Sequence, residues 1–507
     1  MIGAVGCVGK QPTPAPKDSL IVTNDCSVVR LHSGLDSYEV TFTAVCDWHI
    51  ATSGQAIEVS PTRGKGSSEP QTITIKSLNS NKSDVALMRG SVDICLDGYS
   101  TKHKIKVVQC APSERTILTY FFGTSLSYYF SVNIDCMKKA IAKNILGNDR
   151  FIILVQNSRY KGAIKEIYFD AAKNECVEHL IRDVKLPETL TGENFGDLLC
   201  DMMDIAPAER YAMIVGGHST AWLPSISSSG GVPLKVGGYR PDWSVAAGAE
   251  VTRTVGENNV KLNIEDFAKG LSATNEHFDW LYFDVCFMSS IEASYALRNH
   301  TDYVVGSPCE IMGYGSPFDL LLDELVADDL EGACRTYRDY YANEYYGSKS
   351  GCIATIVCDE LDALAAAVKS LNGKSVSDNL DILALQTYEG RSAHIFFDIE
   401  NYMMNAYDDD AAVAAFRSQL DKTVINRFRT DQFYSTYNAQ MNAINHFSGV
   451  NFTPDDGCVA TLEHQIKAME SDPNADRQRF NKLKEQLNEL KYYHPSLRNT
   501  DWYKATH

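Results

Sequence analysis

Between residues 19 and 111, apolar and polar positions alternate with period two in short runs. Examples are Tyr38-Glu-Val-Thr-Phe-Thr-Ala44, Gln71-Thr-Ile-Thr-Ile-Lys76 and Lys104-Ile-Lys-Val-Val-Gln109. Clusters of Gly, Ser, Asn and Pro separate them, which is the spacing of a small β-sandwich. After Ser113 the pattern changes. Apolar strand-like runs (116–122, 151–156, 211–215, 280–285, 302–306) alternate with segments of helical spacing (132–146, 194–205, 264–271, 290–298). Repeated strand–helix–strand units predict a doubly wound, mostly parallel α/β sheet with helices on both faces and ligands at the carboxyl ends of its strands. Residues 319–507 read as mostly helical, with strand-like pieces at 353–357 and 447–452. The resulting division is a tether over 1–18, an all-β sandwich over 19–112 and an α/β region over 113–507.

Composition narrows the function. The 507 residues are 44% hydrophobic and 22% charged, with a net charge of −18. This is globular composition, and so acidic a chain has no footprint for duplex nucleic acid or an anionic membrane surface. No apolar run reaches the roughly 18 residues of a spanning helix. Fourteen cysteines without a CxxC pair argue against a disulfide scaffold or zinc ribbon. The start, Met1-Ile-Gly-Ala-Val-Gly-Cys7, followed by the Pro-rich stretch 11–17, reads like the end of a lipoprotein cleavage box, making Cys7 a lipidation candidate. Within the β region, Cys46-Asp-Trp48, Val59-Ser-Pro61 with Gly64, Arg89-Gly90 and Val107-Val-Gln109 resemble a BACON-type immunoglobulin-like module. That resemblance implies glycan or mucin binding by an exported protein; a rigid spacer is the alternative.

Two buried-looking strands run directly into reactive side chains: Tyr211-Ala-Met-Ile-Val-Gly-Gly-His218 and Phe278-Asp-Trp-Leu-Tyr-Phe-Asp284-Val-Cys286. A histidine and a cysteine at the ends of two parallel strands meet at one sheet edge. Thiolate attack must be matched by protonation of the leaving group, so a thiol there needs a neighbouring proton shuttle.

These strands, with Ser290-Ile-Glu292-Ala-Ser-Tyr295, Val304-Val-Gly-Ser307, Gly313-Tyr-Gly-Ser-Pro317-Phe-Asp319, Phe447-Ser-Gly-Val-Asn-Phe-Thr-Pro454 and Thr500-Asp-Trp502-Tyr503, resemble the clostripain family of cysteine peptidases, relatives of caspases, legumains and gingipains. The resemblance covers about 115–507 and implies a caspase-like fold. It implies an endopeptidase cutting after Arg, less well after Lys, with Cys286 as nucleophile and His218 as proton shuttle. Backbone N–H groups of Ser219 and Cys286 would hold the oxyanion, and Asp284 would hold the P1 guanidinium, with Glu310 next in line. The chemistry requires no cofactor. Some family members use calcium, for which Asp408–Asp410 or Asp455–Asp456 offer oxygens; maturation by self-cleavage would fall at Lys235, Arg240 or Arg253.

Two departures stand out. Ser219 follows the histidine where family members carry Gly, a strained position if it demands positive φ. Phe122-Gly-Thr-Ser-Leu-Ser127 replaces the family's acidic Asp-Asn segment after the first strand. An attenuated, glycan-binding surface lipoprotein is the non-enzymatic alternative. Gly217-His-Ser219-Thr-Ala221 also approximates a serine-hydrolase elbow, but the Trp222-Leu-Pro224 that follows does not open the helix an elbow needs. Neither HExxH nor a phosphate-binding GxxxxGK[ST] occurs. The tyrosines of 337–346 read as core.

Overall fold

The computed structural model describes residues 13–16, 19–22, 27–54, 56–83, 86–223, 255–257 and 260–507. The chain divides into two units, Met1–Arg115 with Ile205–Glu209, and Thr116–Asp204 with Arg210–His507.

The first unit is all-β where described. Its strands are β1 (Leu20–Val22), β2 (Val28–Leu31), β3 (Ser37–Ala44), β4 (Trp48–Ser53), β5 (Ile57–Ser60), β6 (Arg63–Gly64), β7 (Ser67–Ser77), β8 (Leu87–Leu96) and β9 (Lys102–Gln109). They form a four-stranded sheet, β1-β3-β7-β5, and a five-stranded sheet, β2-β9-β8-β4-β6. Period-two alternation sends one side of each strand inward. Val40 and Phe42 of β3, Ile73 and Ile75 of β7, and Val92 and Ile94 of β8 share one apolar core. Trp48 meets Phe42 edge-on at 4.9 Å, and its indole N–H donates to Gln71 at 3.0 Å.

The second unit opens with β10 (Arg115–Phe122), α1 (Ser127–Ile141), β11 (Arg150–Ser158), β12 (Lys161–Asp170), β13 (Glu175–Lys185), α2 (Gly192–Ile205) and β14 (Arg210–Gly217). It continues through α3 (Ile264–Ala273), β15 (Phe278–Asp284), α4 (Ile291–Leu297), β16 (Thr301–Gly306), α5 (Phe318–Val326), α6 (Leu330–Asp339), β17 (Cys352–Val357) and α7 (Leu361–Asn372). Then come β18 (Phe397–Asp398), α8 (Ile399–Ala406), α9 (Asp410–Thr423), β19 (Val424–Arg429), β20 (Gln432–Ser435), β21 (Gln440–Ala443), β22 (Asn451–Phe452), α10 (Asp456–Ser471), α11 (Arg477–Leu497) and α12 (Asp501–Thr506).

Nine strands make one sheet in the order β13-β12-β11-β10-β14-β15-β16-β17-β19. Phe130, Ile134 and Met137 of α1, with Phe318 and Leu322 of α5 and Tyr337 of α6, cover one face, and Tyr341 is buried in the same core. On the other face Phe195 of α2 packs on Tyr120 at 5.0 Å, and Phe267 of α3 on Phe283 at 5.8 Å. Helices on both faces match the expectation; the strand directions correct it. The pairs β10–β11, β14–β15 and β15–β16 are parallel, but β11–β12, β12–β13, β16–β17 and β17–β19 are antiparallel. The sheet is mixed, because β11, β12 and β13 follow one another through short turns, and a tight turn can only pair strands antiparallel.

Candidate active site

β14 and β15 are buried almost end to end, as central parallel strands require. Their register pairs Gly216 with Asp284. His218 and Cys286 each lie two residues beyond that pair, at one sheet edge. The glycines before His218 have a packing cause: a Cβ on Gly216 would come within 2.5 Å of the Phe121 ring.

Cys286 is half-buried, and burial pushes its thiol up to about 12, with the Glu310 carboxylate adding to the rise and the Ile311 backbone N–H opposing it. In this resting geometry the sulfur keeps its proton at neutral pH, so the proton must leave as attack occurs. The chain then turns sharply: Phe287 has φ of 63°. That turn is braced from distant sequence. Phe287 N–H donates to the Cys309 carbonyl at 3.0 Å, and the Asn451 amide donates to the carbonyls of Phe287 (3.2 Å) and Pro308 (2.8 Å). Ser289 Oγ donates to the Gly449 carbonyl at 2.7 Å. Glu292, buried and pushed up to about 7 by burial, accepts from Ser290 Oγ and from Thr453 N–H at 2.7 Å. Thr453 Oγ1 in turn accepts from the Trp222 indole at 3.3 Å. The Phe447–Pro454 segment therefore holds the cysteine turn, and Trp502 packs edge-on against Tyr295 of α4.

Asp284 is 7% exposed. Its carboxylate accepts from Ser316 Oγ at 2.8 Å and Asn133 Nδ2 at 3.2 Å. Gly315, at φ 62°, lies against it so closely that a Cβ there would sit 2.2 Å from Oδ2. Burial pushes the acid up to about 7 despite the hydrogen bonds from Ser316 and Asn133.

On the histidine side, Ser125 Oγ lies 3.1 Å from His218 Nε2 and also donates to Glu257 Oε2. Glu257 Oε1 accepts from Ser125 N–H at 2.9 Å and Thr124 Oγ1 at 2.8 Å. Gly256 N–H donates to the His218 carbonyl at 2.9 Å, tying the two segments together. Burial pulls the His218 pKa below its ordinary value, and Glu257, 3.8 Å from Nε2, pulls the other way. Burial raises Glu257, but the Ser125 and Thr124 hydrogen bonds outweigh it and leave the carboxyl below its usual range.

This fold is shared with solved enzymes. A secreted C11 cysteine protease of Bacteroides thetaiotaomicron, iotapain, aligns with a TM-score of 0.64 at 28% identity over 78% of this chain and 100% of its own. The sequence model of the clostripain family matches residues 241–472. The chain belongs to the clostripain family. It is a cysteine peptidase. A peptide-inhibitor complex of a secreted C11 protease from Bacteroides thetaiotaomicron (22% identity, TM-score 0.58, 78% and 99% coverage) has the same fold. So does an inactive C11 zymogen from Parabacteroides distasonis (22%, 0.59, 78% and 99%). No curated protein matches the chain.

The remaining expected residues fare differently. The positive φ near the histidine falls on Ala221, 53°, rather than on Ser219. The Ser219 hydroxyl accepts from Ala221 N–H at 3.0 Å, and Ser219 leads into a turn through Leu223, an arrangement unlike a nucleophile elbow. Glu310 is engaged by Ser435 Oγ and by Thr436 through both its N–H and Oγ1. Asp409 and Asp455 cap α9 and α10, and Asp456 holds His494, Arg498 and Tyr503. Among the described residues no cluster of three or more His, Cys, Asp or Glu is arranged for a metal. Cys7, Lys235, Arg240 and Arg253 lie outside the described residues. No disulfide joins the twelve described cysteines, and no described helix is long and apolar enough to cross a membrane.

Proposed function

We propose that this clostripain-family peptidase is an endopeptidase that cuts after Arg, and less well after Lys, through Cys286 and His218. The observation carrying the reading is the Gly216–Asp284 register, which gives the two side chains equal standing at one edge. In the reaction, Sγ attacks the scissile carbonyl carbon as its proton passes to His218. The tetrahedral oxyanion is held by the backbone N–H groups of Ser219 and Cys286. His218 then protonates the leaving amine, the C–N bond breaks, and a thioester remains. Water, deprotonated by His218, hydrolyses the thioester and restores the thiol. Asp284 pairs with the P1 guanidinium; the planar fork of Arg makes two bonds to a carboxylate where Lys makes a point contact.

Finer readings belong here too. The N-terminal β unit acts as a BACON-like, immunoglobulin-like module for glycan or mucin. The relatives described as secreted support export, with attachment through lipid at Cys7. Self-cleavage occurs at Lys235 or Arg240, and any calcium dependence is structural. The test is hydrolysis of fluorogenic peptides with Arg, Lys or Ala at P1, by wild type and Cys286→Ala, with and without calcium. The expected order is Arg above Lys, Ala near background, and no activity in the variant. Equal rates for Arg and Ala would remove the specificity claim, and full activity in Cys286→Ala would remove the nucleophile.

A further inference from the structure

We infer that Ser125 and Glu257 are positioning residues that fix the tautomer and the charge of His218; the inference rests on the Cys286–His218 reading. Counting protons makes the case. A serine hydroxyl carries one hydrogen and an ionised carboxylate carries none. Ser125 Oγ gives its hydrogen to Glu257 Oε2, so at 3.1 Å from the imidazole it can only accept, and His218 must present Nε2–H. That leaves Nδ1 as the basic nitrogen, the atom that takes the thiol proton and returns it to the leaving amine. A fixed tautomer is what a third group does for a base in nucleophilic catalysis.

The clasp is local and redundant. Glu257 is bound by Ser125 N–H and Thr124 Oγ1 as well as by the Ser125 hydroxyl. These donors come from the strand end after β10, the segment that departs from the family's acidic sequence. Its hydroxyls collect a carboxylate from 132 residues away in place of carrying one. Glu257 is the charged group that acts on His218, and His218 the one that acts on Glu257. The carboxylate therefore favours the imidazolium that forms after proton transfer.

The test compares Ser125→Ala, Glu257→Gln, Glu257→Asp, His218→Ala and wild type on a fluorogenic Arg peptide across pH. Ser125→Ala leaves Glu257 bound by two other donors, so its folding is preserved even if Glu257→Gln loosens the loop. Expected losses in kcat are roughly tenfold for Ser125→Ala and on the order of tenfold to a hundredfold for Glu257→Gln, with KM within about twofold. The acidic limb of kcat/KM, which reports loss of the imidazolium proton of His218 in the free enzyme, should move to lower pH in Glu257→Gln and stay in place in Glu257→Asp. Wild-type kcat and an unmoved limb in Ser125→Ala and Glu257→Gln, with His218→Ala inactive, would overturn the inference alone. An active His218→Ala would overturn the dyad reading beneath it.

Discussion

Asp284 and Glu257 are carboxylates at the same strand-end cluster, one beside the cysteine and one beside the histidine. Each receives hydrogen bonds, and burial raises both, yet they end on opposite sides of their ordinary values. Asp284 is buried, and its bonds from the Ser316 hydroxyl and N–H and from Asn133 do not compensate, so it rests near 7. Glu257 collects two hydroxyls and an amide from consecutive residues and stays ionised. Each carboxylate takes two side-chain donors and one backbone N–H, so donor number is not the difference: burial outweighs the bonds at Asp284, whereas at Glu257 the neighbouring His218 adds to them.

Replacing Asp284 tests that contrast most strongly. Asp284→Asn should lower kcat/KM for Arg substrates on the order of a hundredfold or more, because the guanidinium loses its charged partner. The same substitution should stabilise the fold at alkaline pH. The folded value near 7 lies above the ordinary 3.8, so the folded state holds the extra proton between them. Stability contributed by this group therefore falls as pH rises through that window, and the cost above it is on the order of 4 kcal/mol. Thermal melts should show Asp284→Asn several degrees above wild type near pH 8 and level with it near pH 4. Asn133 Oδ1 has no hydrogen-bond partner, so a flipped Asn133 amide can accept from the new side chain. A variant melting below wild type near pH 8 would break the account of Asp284 as a strained acid.

An intermediate effect concerns wild type. As pH falls from about 8 to about 6, protonation of Asp284 should cut kcat/KM for Arg substrates roughly tenfold beyond any fall seen with a neutral P1 residue. Parallel profiles for the two substrates would contradict it. The smallest effect concerns Glu310, whose charge raises the Cys286 thiol. Glu310→Gln should speed iodoacetamide alkylation of Cys286 by about threefold near pH 8; a slower reaction would show that Glu310 acts on the turn and not through its charge.

Much of this was legible along the chain, for physical reasons that also mark the limits. β14 and β15 are continuous apolar runs ending in His218 and Cys286, the signature of central strands feeding a site. β13 escaped because it leaves the core for solvent: Glu175–Lys185 has no buried position and mixes charges along both faces; β12 stays in the core but Lys165 and Glu166 interrupt its apolar run. β19 escaped because it follows α9 without a break and reads as its polar continuation. The departure at 122–127 was visible, but its consequence was not. Ser125 acquires meaning only when Glu257 arrives from 132 residues away, and no local pattern marks that glutamate. Asn133 and Ser316 were hidden likewise, a helix face and a loop converging on Asp284.

The most direct test of the central claim is to treat the wild-type chain with a peptidyl-Arg chloromethyl ketone and map the adduct by mass spectrometry. The account predicts one adduct, on Cys286, formed much faster than with a Glu-containing analogue and lost in His218→Ala. An adduct on Ser219 or on another cysteine, in a preparation that hydrolyses Arg peptides, would contradict it.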